Sequence, residues 1–573
     1  RPARSADTRR APSARDPLAA ARRIARERFG VVALRDAQEA VIGHVLAGRH
    51  TLAVMPTGAG KSLTYQVPAL LLPGVTLVIS PLIALMQDQA GKLDDAGVSN
   101  AALNSTLSRG DEREALQAID EARHEIVFAT PERLADPAFI ARMKTQTIDR
   151  LVVDEAHCIS HWGHDFRPAF LEIGRARREL GAPPVLALTA TATEAVIEDI
   201  REQLGLDHLD VINSGVHRPN LQLSVRQVTS EAERSEAIVD AVRATPGAGI
   251  VYCATVRACN ELADQLARVG ERDGFAVTRY HGRLPARERR AQQDAFMAGQ
   301  ARIMVATSAF GMGIDKADLR FVVHYQMPGT LEAYAQEAGR AGRDGLPAHC
   351  TLLYWRKDRN VQQFFIAGRY PNHDELARVY GALPPHDAAA ATIDALSADT
   401  QVARNKLQVA LKLLRDAGLA AQTRARTWRL TRQGAAADRL ALLATAYRER
   451  AEHDRLGLEK MVGYAHSGAC RWKLIAEHFG DDSFAAAGAR CQHCDNCERL
   501  SAPIVVEPPT QTTTVAPAPR AAFAAGDAVT VPRYGDGVVR EASAEQVTVA
   551  FGDELRTFVN EAVQRRAEVE QRA

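Results

Sequence analysis

The sequence predicts an α/β protein: two successive domains, each built on a parallel β-sheet with helices on both faces, followed by smaller modules. Three observations predict it. From about residue 17 to 212, short apolar runs such as "TLAVM", "VTLVIS", "EIVFAT", "RLVVDE" and "VLALTA" alternate with helical stretches, as strands buried on both faces do. The pattern recurs from about 213 to 365 in "GIVYCAT", "AVTRYHG", "RIMVATS", "RFVVHYQ" and "CTLLYW". Each run ends in a small or polar residue, at the strand tips where ligands gather in such sheets.

Composition bounds the rest. The 573 residues suffice for about three to five domains. A hydrophobic content of 46% and a charged content of 25% are ordinary for a globular chain. The net charge of +1 points to no partner class, because one basic face can bind nucleic acid while the total stays near zero. The charge-free run from Ser62 to Gln87 is broken by Pro68, Pro73, Gly74 and Pro81, which excludes a membrane helix there. No secretory pattern opens the chain, so a cytoplasmic protein without membrane contact is expected. Of eight cysteines, Cys158, Cys253, Cys259 and Cys350 are scattered in strand-like settings and read as buried thiols, as a reducing compartment permits.

The remaining elements follow in order. Residues 1–16 are polar and Arg-rich and read as a disordered basic arm. Residues 372–435 hold three helical patterns, "DELARVYGAL", "ATIDALS" and "VARNKLQVALKLLRDAGL", with Gly418 placed to stop the third, then the hairpin-like "AAQTRARTWRLT". Three helices and a hairpin predict a winged helix. Residues 440–500 are helical and end in a cysteine cluster, and 501–522 are a Pro/Thr-rich linker. The short strands and Gly turns of 523–567 predict a small SH3- or Tudor-like barrel.

"MPTGAGKS", Met55 to Ser62, lies between a strand and a helix. Met55 and Pro56 replace the start of the full GxxxxGK[ST] pattern, and the rest is intact. Thr57, Gly58, Ala59 and Gly60 bring backbone N–H groups toward phosphate oxygens, Lys61 neutralises β/γ-phosphate charge, and Ser62 offers a hydroxyl to Mg²⁺. Asp154 and Glu155 close the strand "RLVVDE". The first acid suits Mg²⁺ and the second suits orienting and deprotonating the attacking water. The loop that follows, "HCISHWGHDFRP", sets Trp162, Phe166 and Arg167 among His, Gly and Asp, a composition suited to stacking bases and meeting phosphates.

These residues lie in motifs that resemble superfamily 2 helicases: "MPTGAGKSLTYQVPAL", "SPLIALMQDQ", "DEAH", "LALTATAT", "VATSAFGMGIDK" and "QEAGRAGRDG". "DEAHCISHWGHDFRP" and "GMGIDKADLRFVVHY" resemble the RecQ family of DNA helicases more specifically, and the likeness is dense over about residues 20–365. The resemblance implies two tandem RecA-like domains, 17–212 and 213–365, with ATP between them. It implies the roles above for Lys61, Ser62, Asp154 and Glu155, and a transition-state role for Arg340 and Arg343, presented from the second domain. It places Asp315 near the ribose, and His157 and Gln336 between the domains. Arg35 and Gln38 of "FGVVALRDAQ" match the adenine-recognition residues, while Val31 stands where the family's stacking Tyr is expected. "YCAT", "ATPERL" and "YHGRL" sit where such motifs grip the strand.

Cys470, Cys491, Cys494 and Cys497 form C-x20-C-x2-C-x2-C, a spacing that lets four thiolates wrap one structural Zn²⁺. "HSGACRWKLIAEHFGDD…CQHCDNC" also resembles the RecQ zinc module, with His493 a spectator inside it. The order is reversed relative to the common RecQ layout, because the winged-helix region precedes the zinc ligands, as in a minority of RecQ-like bacterial helicases. Strand alternation places Arg424, Arg426 and Trp428 on one face of the hairpin, open to forked duplex DNA. The terminal barrel resembles the Tudor-like tails of some bacterial helicases, which implies either a protein partner such as RNA polymerase or a repair factor, or binding of nucleic acid. The expected function is therefore an ATP- and Mg²⁺-dependent DNA helicase moving 3′ to 5′ on single-stranded DNA, in repair or recombination. The alternatives are an RNA helicase and an ATP-gated remodelling factor that does not unwind.

Overall fold

The computed structural model describes residues 16–104, 109–121, 124–160, 167–311, 316–369, 371–423, 425–431, 437–501, 523–532, 534–543, 546–552 and 554–565. The chain divides into two units, Arg1–Ser501 and Ala502–Ala573. Among the described residues no helix is long and apolar enough to cross a membrane.

The first unit carries two parallel sheets. The first has β1 Thr51–Val54, β2 Val75–Ile79, β3 Asn100–Leu103, β4 Ile126–Ala129, β5 Ile148–Val153, β6 Val185–Thr189 and β7 Asp210–Asn213, in the order β3-β4-β2-β5-β6-β1-β7. The second has β8 Leu221–Gln227, β9 Ala248–Tyr252, β10 Val277–Tyr280, β11 Ile303–Ala306, β12 Leu319–His324 and β13 Ala348–Tyr354, in the order β10-β11-β9-β12-β13-β8. Helices cover both faces, so the central strands β1, β2, β4, β6 and β11 are buried along their whole length. That is why these strands read as unbroken apolar runs. Since every pairing is parallel, all strands of a sheet end on the same edge. The sequence motifs collect on those two edges.

The region that follows the second sheet has a simple structural form. Helix Asp358–Arg369 packs along the 30-residue helix Ala437–His466. Between them in sequence lie the helices His373–Ala382, Ile393–Thr400 and Arg404–Asp416 and the hairpin of β14 Ala420–Gln422 and β15 Trp428–Leu430. This region of three helices and a hairpin is thus inserted between two helices that remain packed together. At 1.5 Å per residue the long helix spans about 45 Å. Its first third joins the core of the inserted region through Leu440, Leu443 and Ala444. Its last third joins the core of the second sheet through Leu458, Met461, Tyr464 and Ala465.

The hairpin corrects one expectation. Trp428 is 5% exposed and packs in the helical core with Leu407, Leu411 and Leu414, and its backbone pairs in both directions with Ala391. It does not share an open face with the arginines. Strand β15 begins at Trp428, and Arg426 stands in the turn at φ 61°, exposed. The period of two therefore does not run back through residues 425–427. Arg424 lies outside the described residues.

In the second unit, β16 Ala528–Val531, β17 Gly535–Ala542, β18 Gln546–Phe551, β19 Glu554–Val559 and β20 Gln564–Arg565 form an antiparallel sheet in the order β19-β18-β17-β16-β20. It encloses Phe523, Val529, Val531, Val539, Val547, Val549 and Val563. The ladder stays open between β19 and β20 among the described residues.

Gly457 on the long helix approaches Thr330, the N-cap of helix Leu331–Ala338. A Cβ at Gly457 would sit 3.2 Å from Thr330 Cγ2. Gly457→Leu is expected to lower stability by about 1–3 kcal/mol through overpacking. Gly457→Ala should be near neutral, because its tight contact is offset by a gain of about 1 kcal/mol in helix propensity. Urea denaturation of the two variants checks the difference.

Candidate active site

The phosphate loop grows out of β1. Met55 N donates to Thr189 O at 3.0 Å, holding the strand tip before the chain turns through Gly58 (φ 83°) and Gly60 (φ 78°) into helix Leu63–Ala69. Both glycines also make room. A Cβ at Gly60 would collide with the Gln38 amide, and one at Gly58 would lie 3.3 Å from Arg343 Cγ. Lys61 Nζ donates to Met55 O at 3.1 Å, folded back across the loop. Arg35 and Gln38, which the resemblance assigns to adenine, brace this loop: Arg35 Nη1 donates to Gly58 O at 3.1 Å, and Gln38 Nε2 donates to Ala59 O and Gly60 O, each at 3.1 Å. Gln38 Oε1 accepts from Arg35 N at 2.9 Å. Val31 packs among the apolar residues beneath helix Pro17–Phe29.

The acids stand at the tip of β5. Asp154 N donates to Ile79 O at 2.8 Å, and Glu155 occupies the left-handed region at φ 50°, its N–H bonded to Asp154 Oδ1 at 3.0 Å. Such a conformation costs a non-glycine residue about 1–3 kcal/mol, and here it turns the second carboxylate away from the strand direction. Burial, reinforced by the Glu155 charge and opposed by Lys61, pushes the Asp154 carboxyl up to about 7. Burial likewise pulls the Lys61 ammonium down, against the attraction of Glu155 and Asp154. Buried Glu155 Oε2 has no hydrogen-bond partner among the described residues. His157 Nδ1 lies 3.5 Å from it and 3.0 Å from Thr189 Oγ1, whose hydroxyl donates to Thr191 O at 2.9 Å. A polar chain therefore joins "DEAH" to "TAT". The donor set, with Asp154 and the hydroxyls of Ser62 and Ser80 (Ser80 Oγ 3.5 Å from Asp154 Oδ2), is all hard oxygen and fits Mg²⁺. When bound, the metal would offset phosphate charge.

Trp162 and Phe166 lie outside the described residues, but the two ends of their loop are fixed. Ser160 Oγ donates to Asp199 Oδ2 at 2.8 Å. Arg167 N donates to Cys158 O at 2.9 Å, and Arg167 Nη1 donates to Pro81 O at 3.1 Å. Arg167 thus ties the loop to "SPLIALMQDQ".

The second domain faces the phosphate loop through residues 339–346. The two arginines diverge. Arg343 lies against Gly58, whereas Arg340, 4% exposed, lies beside Gly311 within the second domain. Arg340 floors a cleft of about 360 Å³ at the ends of β9, β11 and β12, with Ser308, Gln326, Gln336 and Phe365 around it. Asp315 lies outside the described residues. Arg218, which motif reading passed over, bonds to both domains. Its signal in the sequence is a cation in "HRPN", the short segment between the two strand patterns.

Cys470, Cys491, Cys494 and Cys497 place their Sγ atoms within 4.8 Å of one another, close enough for small side-chain adjustments to reach the sulfur spacing of about 3.8 Å around a tetrahedral ion with Zn–S bonds of about 2.3 Å. Arg471 N donates to Cys494 Sγ at 3.4 Å and Cys491 N to Cys470 Sγ at 3.3 Å. The bond from the Cys491 thiol, with backbone donors at Arg471 and Cys497 and against burial, pulls the Cys494 thiol down while Cys491 is pushed up. The site fits structural Zn²⁺, and four sulfurs leave it no open position for catalysis. His493 Nδ1 bonds to Cys491 O and is not among the ligand atoms.

A phosphate loop with paired acids on one parallel sheet, and an arginine loop on a second, define a two-domain nucleotide-driven motor. Three family models match in order: DEAD/DEAH box helicase over residues 35–200, helicase conserved C-terminal domain over 233–345, and RecQ zinc-binding over 429–498. The chain is similar to the probable ATP-dependent DNA helicase RecS of Bacillus subtilis (40% identical, covering 62% of this chain and 71% of the relative). It is similar to the ATP-dependent DNA helicase RecQ of Synechocystis (35%, covering 82% and 96%) and to that of B. subtilis (44%, covering 59% and 56%). Helicase Lhr of Mycobacterium smegmatis bound to single-stranded DNA and AMP-PNP shares the fold at a TM-score of 0.50, 21% identical, over 74% of this chain and 61% of that one. The chain belongs to the RecQ family of ATP-dependent DNA helicases.

Two outcomes are expected. The Asp154 pKa is raised from 3.8 to about 7, so below pH 7 a proton competes with the metal and above it the carboxylate is free. Mg²⁺-dependent binding of ADP, measured by titration calorimetry from pH 6 to 8, should strengthen with pH, and Asp154→Asn should flatten that slope. The purified chain should carry one zinc per molecule by mass spectrometry of metals. Cys494→Ser should lose it and lower the thermal midpoint by several degrees, since metal binding is coupled to folding.

Proposed function

We propose that this chain hydrolyses ATP to move 3′ to 5′ along single-stranded DNA and to unwind duplex ahead of it. One observation carries the reading: Arg343 of the second domain lies against Gly58 of the phosphate loop, so hydrolysis requires the two sheets to close. In this reading Lys61 and Arg343 offset γ-phosphate charge, Asp154 and Ser62 hold Mg²⁺, and Glu155 takes the proton of the attacking water. Arg35 and Gln38 release the loop carbonyls to meet the base, Asp315 meets the ribose, and Arg340 organises the second domain's edge. Trp162 and Phe166 stack on bases, each worth about 1–3 kcal/mol. Arg167 relays their position to the phosphate loop's neighbours.

Arg426 at the exposed hairpin turn, with Arg424, meets the duplex of a fork. The C-terminal sheet serves a protein partner such as RNA polymerase or a repair factor, and the substrate is chromosomal DNA in a bacterial cytoplasm. The DNA-bound state of a fold relative and the helicase names of the bacterial relatives support the nucleic-acid reading.

The test is ATP hydrolysis with and without single-stranded DNA, alongside strand displacement on a 3′-tailed fork. Stimulation by DNA should be lost in Lys61→Ala. Glu155→Gln should lower kcat by about 10²–10⁴-fold, and Trp162→Ala should leave basal hydrolysis but remove stimulation. Equal stimulation by RNA would favour an RNA helicase, and hydrolysis without displacement would favour a remodelling factor.

A further inference from the structure

Arg218 sits in the segment between β7 and β8, which is the covalent link between the two sheets. Its guanidinium meets both nucleotide-facing loops at once. Nη1 donates to Thr57 O of the phosphate loop at 3.0 Å and to Gly339 O of the arginine loop at 3.1 Å. Nη2 donates to Ala341 O at 3.1 Å and to Gly342 O. Nε donates to Asn220 Oδ1 at 3.4 Å, and Asn220 Nδ2 donates in turn to Gly342 O at 2.8 Å and Leu346 O at 2.9 Å. The contacted carbonyls flank Arg343 on one side and Gly58 on the other, the two residues that touch across the interface. A planar fork of five donors can hold two loops in register; an ammonium, a single point of charge, cannot span them in the same way.

The segment itself is held from outside both sheets. Val216 N donates to Asp481 Oδ2 at 2.7 Å, and Trp472 Nε1 donates to Leu221 O at 3.1 Å. Asp481 and Trp472 belong to the zinc-holding region, and Val216, Leu221, Trp472 and Ile475 share one apolar core. Arg218 is therefore pinned on either side by the module whose order in the chain is unusual.

We propose that Arg218 is a positioning residue that registers the arginine loop on the phosphate loop, and that it acts on catalysis through Arg343. The proposal rests on the reading of Arg343 as a γ-phosphate group. Among the described residues Arg218 bonds only to main-chain and Asn220 atoms, so its loss displaces Arg343 without removing a nucleotide contact, and displacements near 1 Å can cost on the order of 10²-fold in rate.

The test is a double-mutant cycle on DNA-stimulated ATP hydrolysis with the full chain. Arg218→Ala is expected to lower kcat by about 10- to 100-fold, with KM for ATP changed less than about threefold and the thermal midpoint retained. Arg218→Lys should recover only a minor part of the loss. In the Arg343→Ala background, the same change should cost less than about threefold, because residues acting through one another are not additive. Equal losses in both backgrounds, or a rise in KM at unchanged kcat, would overturn the proposal alone. Should Arg218→Ala lose its thermal midpoint, the Lys variant and the cycle built on it decide in the same way. An Arg343→Ala protein with wild-type kcat would overturn the arginine-loop reading, and this proposal with it.

Discussion

The Arg471–Asp495 pair holds the most together in this molecule. Arg471 is 2% exposed, and its Nε and Nη2 meet the two Asp495 oxygens at 2.9 and 3.2 Å. Burying two charges costs several kcal/mol each unless further hydrogen bonds offset it, and here all three guanidinium nitrogens have an acceptor. Nη1 donates to Tyr464 O at the end of the long helix, the guanidinium lies 5.3 Å over the Tyr464 ring, and Asp495 Oδ2 also accepts from Val225 N of β8 at 3.0 Å. Burial works to raise the Asp495 carboxyl, but those bonds outweigh it and hold the group below the ordinary range. One ion pair thus joins the zinc knuckle, the long helix and the edge strand of the second sheet. The zinc ligands stand on either side of it, since Cys470 precedes Arg471 and Cys494 precedes Asp495.

From that anchor the inserted region acquires a mechanical connection. Its core and the core of the second sheet are both closed by the same uninterrupted helix, Ala437–His466. That helix also leans on Leu331–Ala338, through Gly457 against Thr330 and the hydroxyls of Tyr464 and Tyr334 at 3.3 Å. Leu331–Ala338 carries Gln336 and runs directly into the arginine loop. A rigid element packed at both ends transmits displacement better than a linker does. The insertion in sequence is therefore compatible with tight coupling in space.

What was legible in the sequence was set by local periodicity and spacing. The buried parallel strands announced themselves as apolar runs because both faces are covered. The zinc ligands and phosphate loop announced themselves because their chemistry needs fixed residue types at fixed intervals. What depended on tertiary contact was not legible. Trp428 read as a surface aromatic because alternation was extended through a turn, where Arg426 at φ 61° breaks the period. Nothing in "QEAGRAGRDG" separates Arg340 from Arg343; only the fold sends one into the second domain's cleft and the other to Gly58. The insertion read as a change of module order because packing of Asp358–Arg369 on Ala437–His466 spans 67 intervening residues, from 370 to 436, and leaves no local signature.

The stretch from Asp154 to Arg167 joins two kinds of chemistry because its constraints are shared. Glu155 is held at a strained backbone angle by the Asp154 carboxylate below it and the His157–Thr189 contact beside it. Thirteen positions after Asp154, Arg167 returns to Cys158 and Pro81 and closes the loop. Pro81 directly follows Ser80, whose hydroxyl faces Asp154. The loop that carries Trp162 and Phe166 is therefore tied at its far end to the same pair of strand tips that position the acids. A loop pinned at both ends has fewer conformations to lose on binding, and a shift of its ends cannot occur without moving β2 or β5 at the metal-binding carboxylate.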